Sequence, residues 1–280
     1  MKLSFHNFEL DFSKKTYIMG IVNVTPDSFS DGGKYFSLQK AVDHALRLVE
    51  EGADIIDIGG ESTRPGAEPV SIDEELNRVI PVIESICKKV SIPISIDTYK
   101  AIVAEEAIKA GATIINDISG LRFDSAMPEI VNRYKVPVII MHINGTPRNM
   151  QQKPCYEALI PEIIEYLRYS IIIAKQAGVD ENMIIVDPGI GFGKLPEHNL
   201  EIIKNLRVFS NLGKPILIGV SKKSFIGRIL NERSPEKRVE GTASAVAISV
   251  LNGANIVRVH DVEFMTKVVK MADAIKFGII

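Results

Sequence analysis

The chain of 280 residues carries 33 Lys and Arg against 35 Asp and Glu, which gives a net charge of −2, and 46% of its residues are hydrophobic. This composition excludes a disordered, collagen-like or disulfide-framework protein, and the balanced charge offers no electrostatic attraction to nucleic acid. No apolar stretch reaches the roughly 20 residues of a membrane-spanning helix. The cysteines, Cys87 and Cys155, have no metal-ligand spacing, which indicates reduced thiols in a cytoplasmic protein.

Short β-branched segments alternate with helix-length amphipathic segments along the chain. The β-branched segments are residues 17–22, 54–58, 93–96, 113–115, 137–141, 183–186, 215–220 and 255–259. Nearly continuous apolar character is expected of strands that are buried on both faces, and such strands belong to parallel sheets. Eight strand–helix units predict a single α/β domain with the (β/α)8 TIM-barrel fold, because doubly wound open sheets usually have about five or six parallel strands.

Local signals place several helices and the start of the chain. Helices are predicted over residues 39–52, 98–111 and 263–277. Ser37 is predicted to cap the first of these, and Gly111 to end the second. Ser71, with Glu74 three residues later, fits a capping box at the start of another helix. We expect one domain over residues 1–280, in which residues 1–16 form a short N-terminal hairpin that closes the bottom of the barrel.

Polar residues follow the ends of the predicted strands, where barrel enzymes carry their chemistry. One group consists of hydrogen-bond acceptors, namely Asp97, Asn116 and Asp187. Ionised carboxylates only accept hydrogen bonds, so this group suits a heterocycle with an amino group beside a ring N–H. A second group is cationic and suits phosphate; it consists of Arg64, Arg258, His260 and the lysines at 222 and 223. The two groups together predict a polar heterocyclic ligand that carries phosphates.

Each of these residues also fits a purely structural role. An Asp or Asn after a strand is commonly a helix N-cap. His142 fits a hydrogen-bonded inner histidine, and the glycines of residues 189–193 fit a turn, because their spacing is wrong for dinucleotide binding. The loop at residues 23–33 is long, polar and glycine-ended with one Phe, a composition typical of a lid over a site.

Several motifs resemble those of dihydropteroate synthases, the folate-pathway enzymes that sulfonamides inhibit. The two long ones are residues 19–33 (MGIVNVTPDSFSDGG) and 57–66 (DIGGESTRPG). The short ones are residues 95–98 (SIDT), 115–117 (IND), 187–194 (DPGIGFGK) and 258–261 (RVHD). The resemblance extends from about residue 17 to the end of the chain.

The resemblance implies an activity, a cofactor and an assembly. p-Aminobenzoate would displace pyrophosphate from 6-hydroxymethyl-7,8-dihydropterin pyrophosphate, giving 7,8-dihydropteroate. Pyrophosphate would leave first, and the resulting pterin cation would be stabilised by the charge of Asp97. The resemblance also implies Mg²⁺, a (β/α)8 barrel and a homodimer. The expected partners are the two small-molecule substrates, with no nucleic acid and no membrane, and the expected location is the cytoplasm.

Residue roles carry over from the resemblance position by position. The pterin would be held by Asp97, Asn116, Asp187 and Lys223. The pyrophosphate would be surrounded by Thr63, Arg64, Arg258 and His260. The p-aminobenzoate would contact Phe29, Pro65, Lys222 and Ser224. Asn23 would bind the metal ion. The residues expected to act in the reaction itself are Phe29, Asp31, Asp97, Arg258 and His260.

Two departures from the family pattern and two rival functions remain. One departure is Met141-His142-Ile143, where the family has Met-His-Met. The family's Ser-Arg-Lys is Ser221-Lys222-Lys223 here, and its register assigns Lys223 to the pterin. A methyltransferase that moves a methyl group from a reduced folate to a corrinoid protein would share the acidic pterin site. It would not require the loop at residues 23–33 or the cationic group. A non-catalytic pterin-binding relative would be expected to lack Asn23, Asp31 or Arg258, and the chain has all three.

Overall fold

The computed structural model describes residues 1–25 and 34–278, with side chains for residues 1–25 and 38–278. The chain begins with an antiparallel hairpin of β1 (Lys2–Phe5) and β2 (Phe8–Asp11). The parallel strands that follow are β3 (Tyr17–Asn23), β4 (Ile55–Gly59), β5 (Ile94–Asp97), β6 (Ile114–Asp117), β7 (Val138–Met141), β8 (Ile184–Asp187), β9 (Leu217–Ile218) and β10 (Ile256–Val259). Their order is β8-β7-β6-β5-β4-β3-β10-β9, and a parallel bridge from Val186 to Ile216 connects the two ends. The predicted TIM barrel with an N-terminal hairpin is confirmed.

Helices alternate with the strands and cover the outside of the barrel. They are α1 (Lys34–Glu50), α2 (Ile72–Ile86), α3 (Ala101–Ala110), α4 (Met127–Tyr134), α5 (Leu159–Gln176), α6 (Pro196–Lys204), α7 (Ser224–Ile229), α8 (Val239–Leu251) and α9 (Val262–Phe277). None of the helices within residues 1–25 and 34–278 has the length and apolarity needed to cross a membrane.

The helix boundaries test the local signals in the sequence. Ser71 is the N-cap of α2, and its Oγ accepts the Glu74 N–H at 3.2 Å. Gly111 ends α3 with a φ of 123°, as predicted. The predicted cap at Ser37 is wrong, because α1 begins at Lys34 and therefore includes Ser37. Helix α3 also begins three residues later than predicted, since its first residue is Ala101 and not Thr98.

The hairpin packs against the amino ends of the barrel strands. Its buried side chains are Leu3, Phe5, Leu10 and Phe12. They form one apolar cluster with inward-facing residues of the strands, namely Tyr17, Met19, Ile55, Ile114, Ile139, Ile185, Leu217 and Ile256. Most of these residues lie at or near the first position of their strand, so the hairpin closes the bottom of the barrel. The polar ends of the strands lie at the other end of the barrel.

We expect Phe5→Ala to lower the free energy of unfolding by about 3–5 kcal/mol, the usual cost of truncating a buried phenylalanine. The matched control is Glu9→Ala on the same hairpin, which removes an exposed ion pair with Lys2 and should leave the stability nearly unchanged. Urea unfolding of the two variants measures both values. A Phe5→Ala protein within 1 kcal/mol of the wild type would show that the hairpin contributes little to the barrel.

Candidate active site

Four side chains at the open end of the barrel form a hydrogen-bonded group, called here the floor network: Asp57, Asp97, Asn116 and Arg258. The Arg258 guanidinium donates through Nη2 to Asp97 Oδ2 at 2.7 Å and through Nε to Asp57 Oδ2 at 2.6 Å. The Asn116 amide donates to the same Asp57 oxygen at 3.1 Å. One guanidinium therefore donates hydrogen bonds to two carboxylates from different strands.

The register of the barrel explains why these side chains meet. Asp97 pairs with Gly59 on one side and with Asn116 on the other. Successive residues of a strand point to opposite faces, so Asp57 and Gly59 both point inward from β4. Gly59 has no side chain, and a Cβ placed there would lie 3.5 Å from that of Asp97. Glycine at this position therefore leaves the space beside the Asp97 side chain free.

Asp57 is the member of this network that the sequence prediction missed. The prediction rests on residues at the strand ends, whereas Asp57 lies within β4 and is completely buried. A signal was present in the sequence: a lone acid inside the apolar run Ile55-Ile56-Asp57-Ile58 requires a buried cationic partner. The inward-facing positively charged residue on a strand of the same barrel is Arg258.

Asp187 is the third acidic group and lies at the end of β8. Its Oδ1 accepts the N–H of Gly189 at 2.7 Å. Gly189 has a φ of 72°, and a Cβ there would lie 1.9 Å from the carbonyl oxygen of His142. The glycine run is thus a tight turn that holds the Asp187 carboxylate, as its structural interpretation predicted. The alternative that Asp97, Asn116 and Asp187 cap helices is wrong for the described chain, because Lys100, Ala126 and Leu195 occupy the N-cap positions of α3, α4 and α6.

Two adjacent lysines after β9 point in different directions. The Lys223 ammonium lies 4.3 Å from the centroid of the Phe192 ring, beside the glycine turn. The Lys222 ammonium instead pairs with Glu236 at 2.9 Å and Asp261 at 3.1 Å, and its side chain is only 14% exposed. Lys222 therefore has no free, solvent-accessible charge, whereas Lys223 faces the acidic side of the mouth.

Burial shifts the pKa values of these groups toward their neutral forms. Burial raises the pKa of Asp97 to about 7, with Arg258 opposing the shift and Asp57 adding to it. Burial also raises the pKa of Asp187 to about 6. It lowers the pKa of Lys223 to about 8, and the positive charge of Arg258 adds to that decrease. Carboxylates in such an environment gain from a ligand that supplies N–H donors or positive charge.

The predicted pyrophosphate residues lie at or after the carboxyl ends of β4 and β10, the two strands that flank β3. Thr63 is half-buried and Arg64 is exposed on the loop after β4. His260 follows β10, and its Nδ1 lies 2.9 Å from Ser221 Oγ. Burial, followed by the positive charge of Arg258, lowers the pKa of His260 to about 3, so its ring is neutral. The Arg258 guanidinium is bound to Asp57 and Asp97 in the floor network, and the charges of Arg258 and Arg64 both act on the His260 ring.

The loop that carries Thr63 and Arg64 is anchored at both ends by a buried ion-pair cluster. Glu61 Oε1 accepts from the Tyr99 hydroxyl at 2.7 Å, and Oε2 accepts from Lys100 Nζ at 2.6 Å and from Val70 N–H at 2.9 Å. The Lys100 ammonium also contacts the buried Glu75 of α2. The cluster thus joins residue 61 to residue 70 and fixes both ends of the loop to α2 and α3.

We expect Lys100→Met to lower the free energy of unfolding by about 3–5 kcal/mol, because it leaves the two glutamates buried without their cation. Lys109→Met on α3 is the matched control, since it breaks a pair with Glu106 in which both side chains are more than 40% exposed. Urea unfolding measures the free energy of unfolding of both variants. Equal stability of the Lys100→Met and Lys109→Met proteins would contradict the anchoring role of the cluster.

His142 has the structural role that the sequence left open as an alternative. Its ring is buried, Nδ1 lies 2.8 Å from Lys194 Nζ, and it packs edge-on against Tyr166. Lys194 also donates to the Phe192 carbonyl at 3.0 Å. The His142–Lys194 pair is therefore hydrogen-bonded to the glycine turn that follows Asp187.

The remaining predicted contacts lie around the rim. Pro65 and Ser224 are both exposed, one on the loop after β4 and the other at the first position of α7. Asn23 is half-buried at the end of β3, beside Gly59. Phe29 and Asp31, together with most of the predicted lid, lie outside the described residues.

The residues at the barrel mouth suit a magnesium ion that binds together with the phosphate groups of a ligand. Among the residues that the structure describes, no group of three or more His, Cys, Asp or Glu side chains could enclose a metal. Mg²⁺ commonly keeps several waters and binds through few protein oxygens plus substrate phosphates. The amide oxygen of Asn23 at the barrel mouth is suited to that kind of site.

A TIM barrel with acidic acceptors and cations at the carboxyl ends of its strands defines an α/β-barrel enzyme that acts on a small polar ligand. Comparison with known proteins narrows this class. Residues 19–260 match the family model described as pterin binding enzyme. Dihydropteroate synthase from Bacillus subtilis (strain 168) is 54% identical over 265 residues, covering 95% of this chain and 90% of that protein.

Solved structures give the same result. Yersinia pestis dihydropteroate synthase, in complex with a sulfonamide drug, has a TM-score of 0.93 and 42% identity, covering 99% of both chains. Dihydropteroate synthase from Xanthomonas albilineans, in complex with 7,8-dihydropteroate, has a TM-score of 0.89 and 38% identity, covering 99% of both chains. The chain therefore belongs to the pterin-binding enzymes and, within them, to the dihydropteroate synthases, which are transferases of folate synthesis. This assignment does not support the corrinoid methyltransferase alternative.

Proposed function

We propose that the protein condenses 6-hydroxymethyl-7,8-dihydropterin pyrophosphate with p-aminobenzoate to give 7,8-dihydropteroate and pyrophosphate. The observation that carries the proposal is the floor network beside Asp187 and Lys223. It combines buried acceptors for the N–H groups of a pterin with a partly desolvated carboxylate, Asp97, for positive charge. The complex of the Xanthomonas albilineans relative with 7,8-dihydropteroate supports the product.

In the proposed complex, Asp187 and Asn116 accept hydrogen bonds from the amino group and ring N–H of the pterin. Lys223 donates to its ring nitrogen and carbonyl oxygen, which are acceptors only. Asp97 lies next to Asn116 in the sheet register and would contact the part of the ring that becomes positive. These four contacts orient the heterocycle so that its pyrophosphate extends toward the rim.

The reaction that we propose has two steps. The bond between the methylene carbon and the pyrophosphate oxygen breaks first, and pyrophosphate leaves with the electron pair. The positive charge that develops over the pterin is stabilised by ionised Asp97, an interaction that is stronger in the transition state than in the bound substrate. The amine nitrogen of p-aminobenzoate then forms the new C–N bond and loses one proton. An aromatic amine is a weak base, so no strong general base is required.

The leaving group would be held by Thr63, Arg64, Arg258 and His260. The neutral His260 ring would contribute a hydrogen bond, whereas the arginines contribute charge. Asn23 would hold Mg²⁺ through its amide oxygen together with pyrophosphate oxygens, and that ion would neutralise charge on the leaving group. For p-aminobenzoate we propose contacts with Phe29, Pro65, Lys222 and Ser224, with Asp31 acting in the reaction.

Release of pyrophosphate tests the proposed reaction. The protein is mixed with the pterin pyrophosphate, p-aminobenzoate and Mg²⁺, and pyrophosphate is measured with a coupled enzyme assay. We expect release together with 7,8-dihydropteroate, identified by mass spectrometry, and inhibition by a sulfonamide. Absence of both products under all conditions would overturn the proposed function.

We also propose that residues 1–280 act as one domain and that the protein is a cytoplasmic homodimer. Cys87 and Cys155 are free thiols, which suits a reducing compartment. Neighbouring helices α6, α7 and α8, together with the residue that follows α7, expose large apolar side chains, namely Leu200, Ile229, Leu230 and Ile248. Sedimentation velocity should give twice the chain mass of 30.9 kDa, and Ile248→Glu should return the monomer. A monomeric wild type at micromolar concentration would contradict the dimer.

A further inference from the structure

The carboxylate of Asp57 is the common point of the floor network. Its Oδ2 accepts from Arg258 Nε at 2.6 Å and from Asn116 Nδ2 at 3.1 Å. The side chain is fully buried, and Oδ1 has no hydrogen-bond partner among the described residues. Asp57 lies one inward position deeper in β4 than Gly59, and its hydrogen bonds join it to Arg258 and Asn116 of the predicted site.

We propose that Asp57 is a positioning residue of the pterin site, in which Oδ2 sets the orientation of both Arg258 and Asn116. This inference rests on the proposed function and adds a residue to it. Neither the chemistry of the substrates nor the groups at the strand ends requires an acid at this depth. The hydrogen bonds that Arg258 and Asn116 donate to Asp57 explain why an acceptor lies there.

The first consequence concerns Arg258 and Asp97. A buried guanidinium takes as many carboxylate oxygens as geometry allows. Because Asp57 occupies Nε, Arg258 reaches Asp97 only through Nη2. Without Asp57, the guanidinium would be free to turn and bind both oxygens of Asp97. Asp97 would then have less of its charge available to the pterin.

The second consequence concerns Asn116. An amide side chain has one donor end and one acceptor end, and they exchange places when it turns by 180°. Donation from Nδ2 to Asp57 places the carbonyl oxygen on the other branch, where it can accept from the pterin. Without Asp57, the donor end is equally free to face the ligand, and an N–H facing an N–H loses the hydrogen bond.

The experiment uses two variants of nearly the same shape. Asp57→Leu keeps the branched volume and removes the acceptor, whereas Asp57→Asn keeps one acceptor oxygen and removes the charge. Ser95→Ala is the matched control, because Ser95 pairs with Asp57 in the register, is equally buried, and has an Oγ without a partner. Affinity for 6-hydroxymethyl-7,8-dihydropterin is measured by calorimetry, and thermal unfolding reports whether each variant is folded.

We expect Asp57→Leu to weaken dihydropterin binding at least tenfold, Asp57→Asn to stay within about fivefold of the wild type, and Ser95→Ala to stay within about twofold. In steady-state assays, Asp57→Leu should raise KM for the pterin pyrophosphate and leave KM for p-aminobenzoate within about twofold. A residue that only supports the fold would not separate the two KM values. If Asp57→Leu does not fold, Asp57→Ala serves in its place with the same expected loss.

Two results would overturn the inference: Asp57→Leu binding within threefold of the wild type, or Asp57→Asn binding no better than Asp57→Leu. The second result would mean that the charge matters and the hydrogen-bond geometry does not. Failure of the wild type itself to bind the dihydropterin would overturn the proposed function, and the inference with it. The wild-type titration therefore separates the two failures.

Discussion

Asp187→Asn should remove most of the affinity for a dihydropterin while leaving the barrel at least as stable at neutral pH. The buried carboxylate of Asp187 is the acceptor that the pterin edge requires, and Gly189 already occupies one of its oxygens. An amide presents a donor where the ligand also donates. Loss of a charge-assisted bond costs about 1.5–3 kcal/mol, which is about 10- to 100-fold in the dissociation constant. Calorimetry at pH 8 measures it.

The stability of the same variant depends on pH in a defined direction. Burial raises the pKa of Asp187 from 3.8 to about 6 in the folded protein. A group with a raised folded pKa stabilises the fold below its unfolded pKa, and this contribution is lost as the pH rises through 6. Asparagine has no such pH dependence. Asp187→Asn should therefore be on the order of 1–3 kcal/mol more stable than the wild type at pH 8, with the difference disappearing near pH 4.

Urea unfolding at the two pH values tests this. Weaker dihydropterin binding together with higher stability at pH 8 would show that the Asp187 carboxylate contributes to ligand binding and lowers the stability of the fold. Affinity within threefold of the wild type would mean that Asp187 is not part of the pterin site. Lower stability at pH 8 would mean instead that its bond to Gly189 outweighs the cost of burying the charge.

The sequence predicted the barrel and the strand-end residues, because both depend on local pattern. Continuous apolar runs followed by polar residues identify buried parallel strands without knowledge of their neighbours. The start of α1 was not predicted correctly, since the preference for a Ser at the N-cap is worth only about 1 kcal/mol. A helix extends past such a residue when the preceding turn is also helical, as happens at Ser37.

Contacts between distant side chains account for what the sequence left undetermined. Grouping by charge predicts Arg258 among the phosphate-binding residues but not its ion pairs with Asp57 and Asp97, which the fold brings to it. The Glu61–Lys100 pair likewise joins residues 39 positions apart. Hydrophobic period and motif spacing contain no information about such pairs, although the lone acid in β4 does indicate that a partner exists.

The two lysines after β9 allow a second test of the pterin site, with one as the control for the other. Lys223→Met should lose about 10- to 100-fold in dihydropterin affinity, the usual effect of removing a charged donor. Methionine keeps the apolar stem, which packs over Gly191, so the fold should remain intact. Lys222→Arg should bind dihydropterin within about twofold of the wild type, because a guanidinium can make the same ion pairs with Glu236 and Asp261.

The pH dependence distinguishes loss of a contact from loss of charge. The ammonium of Lys223 lowers the pKa of Asp187 and opposes the effect of burial on that carboxyl. Its removal should therefore raise the pKa of Asp187. As the pH is lowered, Asp187 of Lys223→Met should become protonated earlier, so dihydropterin binding should begin to weaken at a higher pH than in the wild type. Lys222→Arg should leave the pH profile unchanged. Normal affinity in Lys223→Met would exclude Lys223 from the site, and a pterin complex with Lys222 against the ring would reverse the assignment of the two lysines.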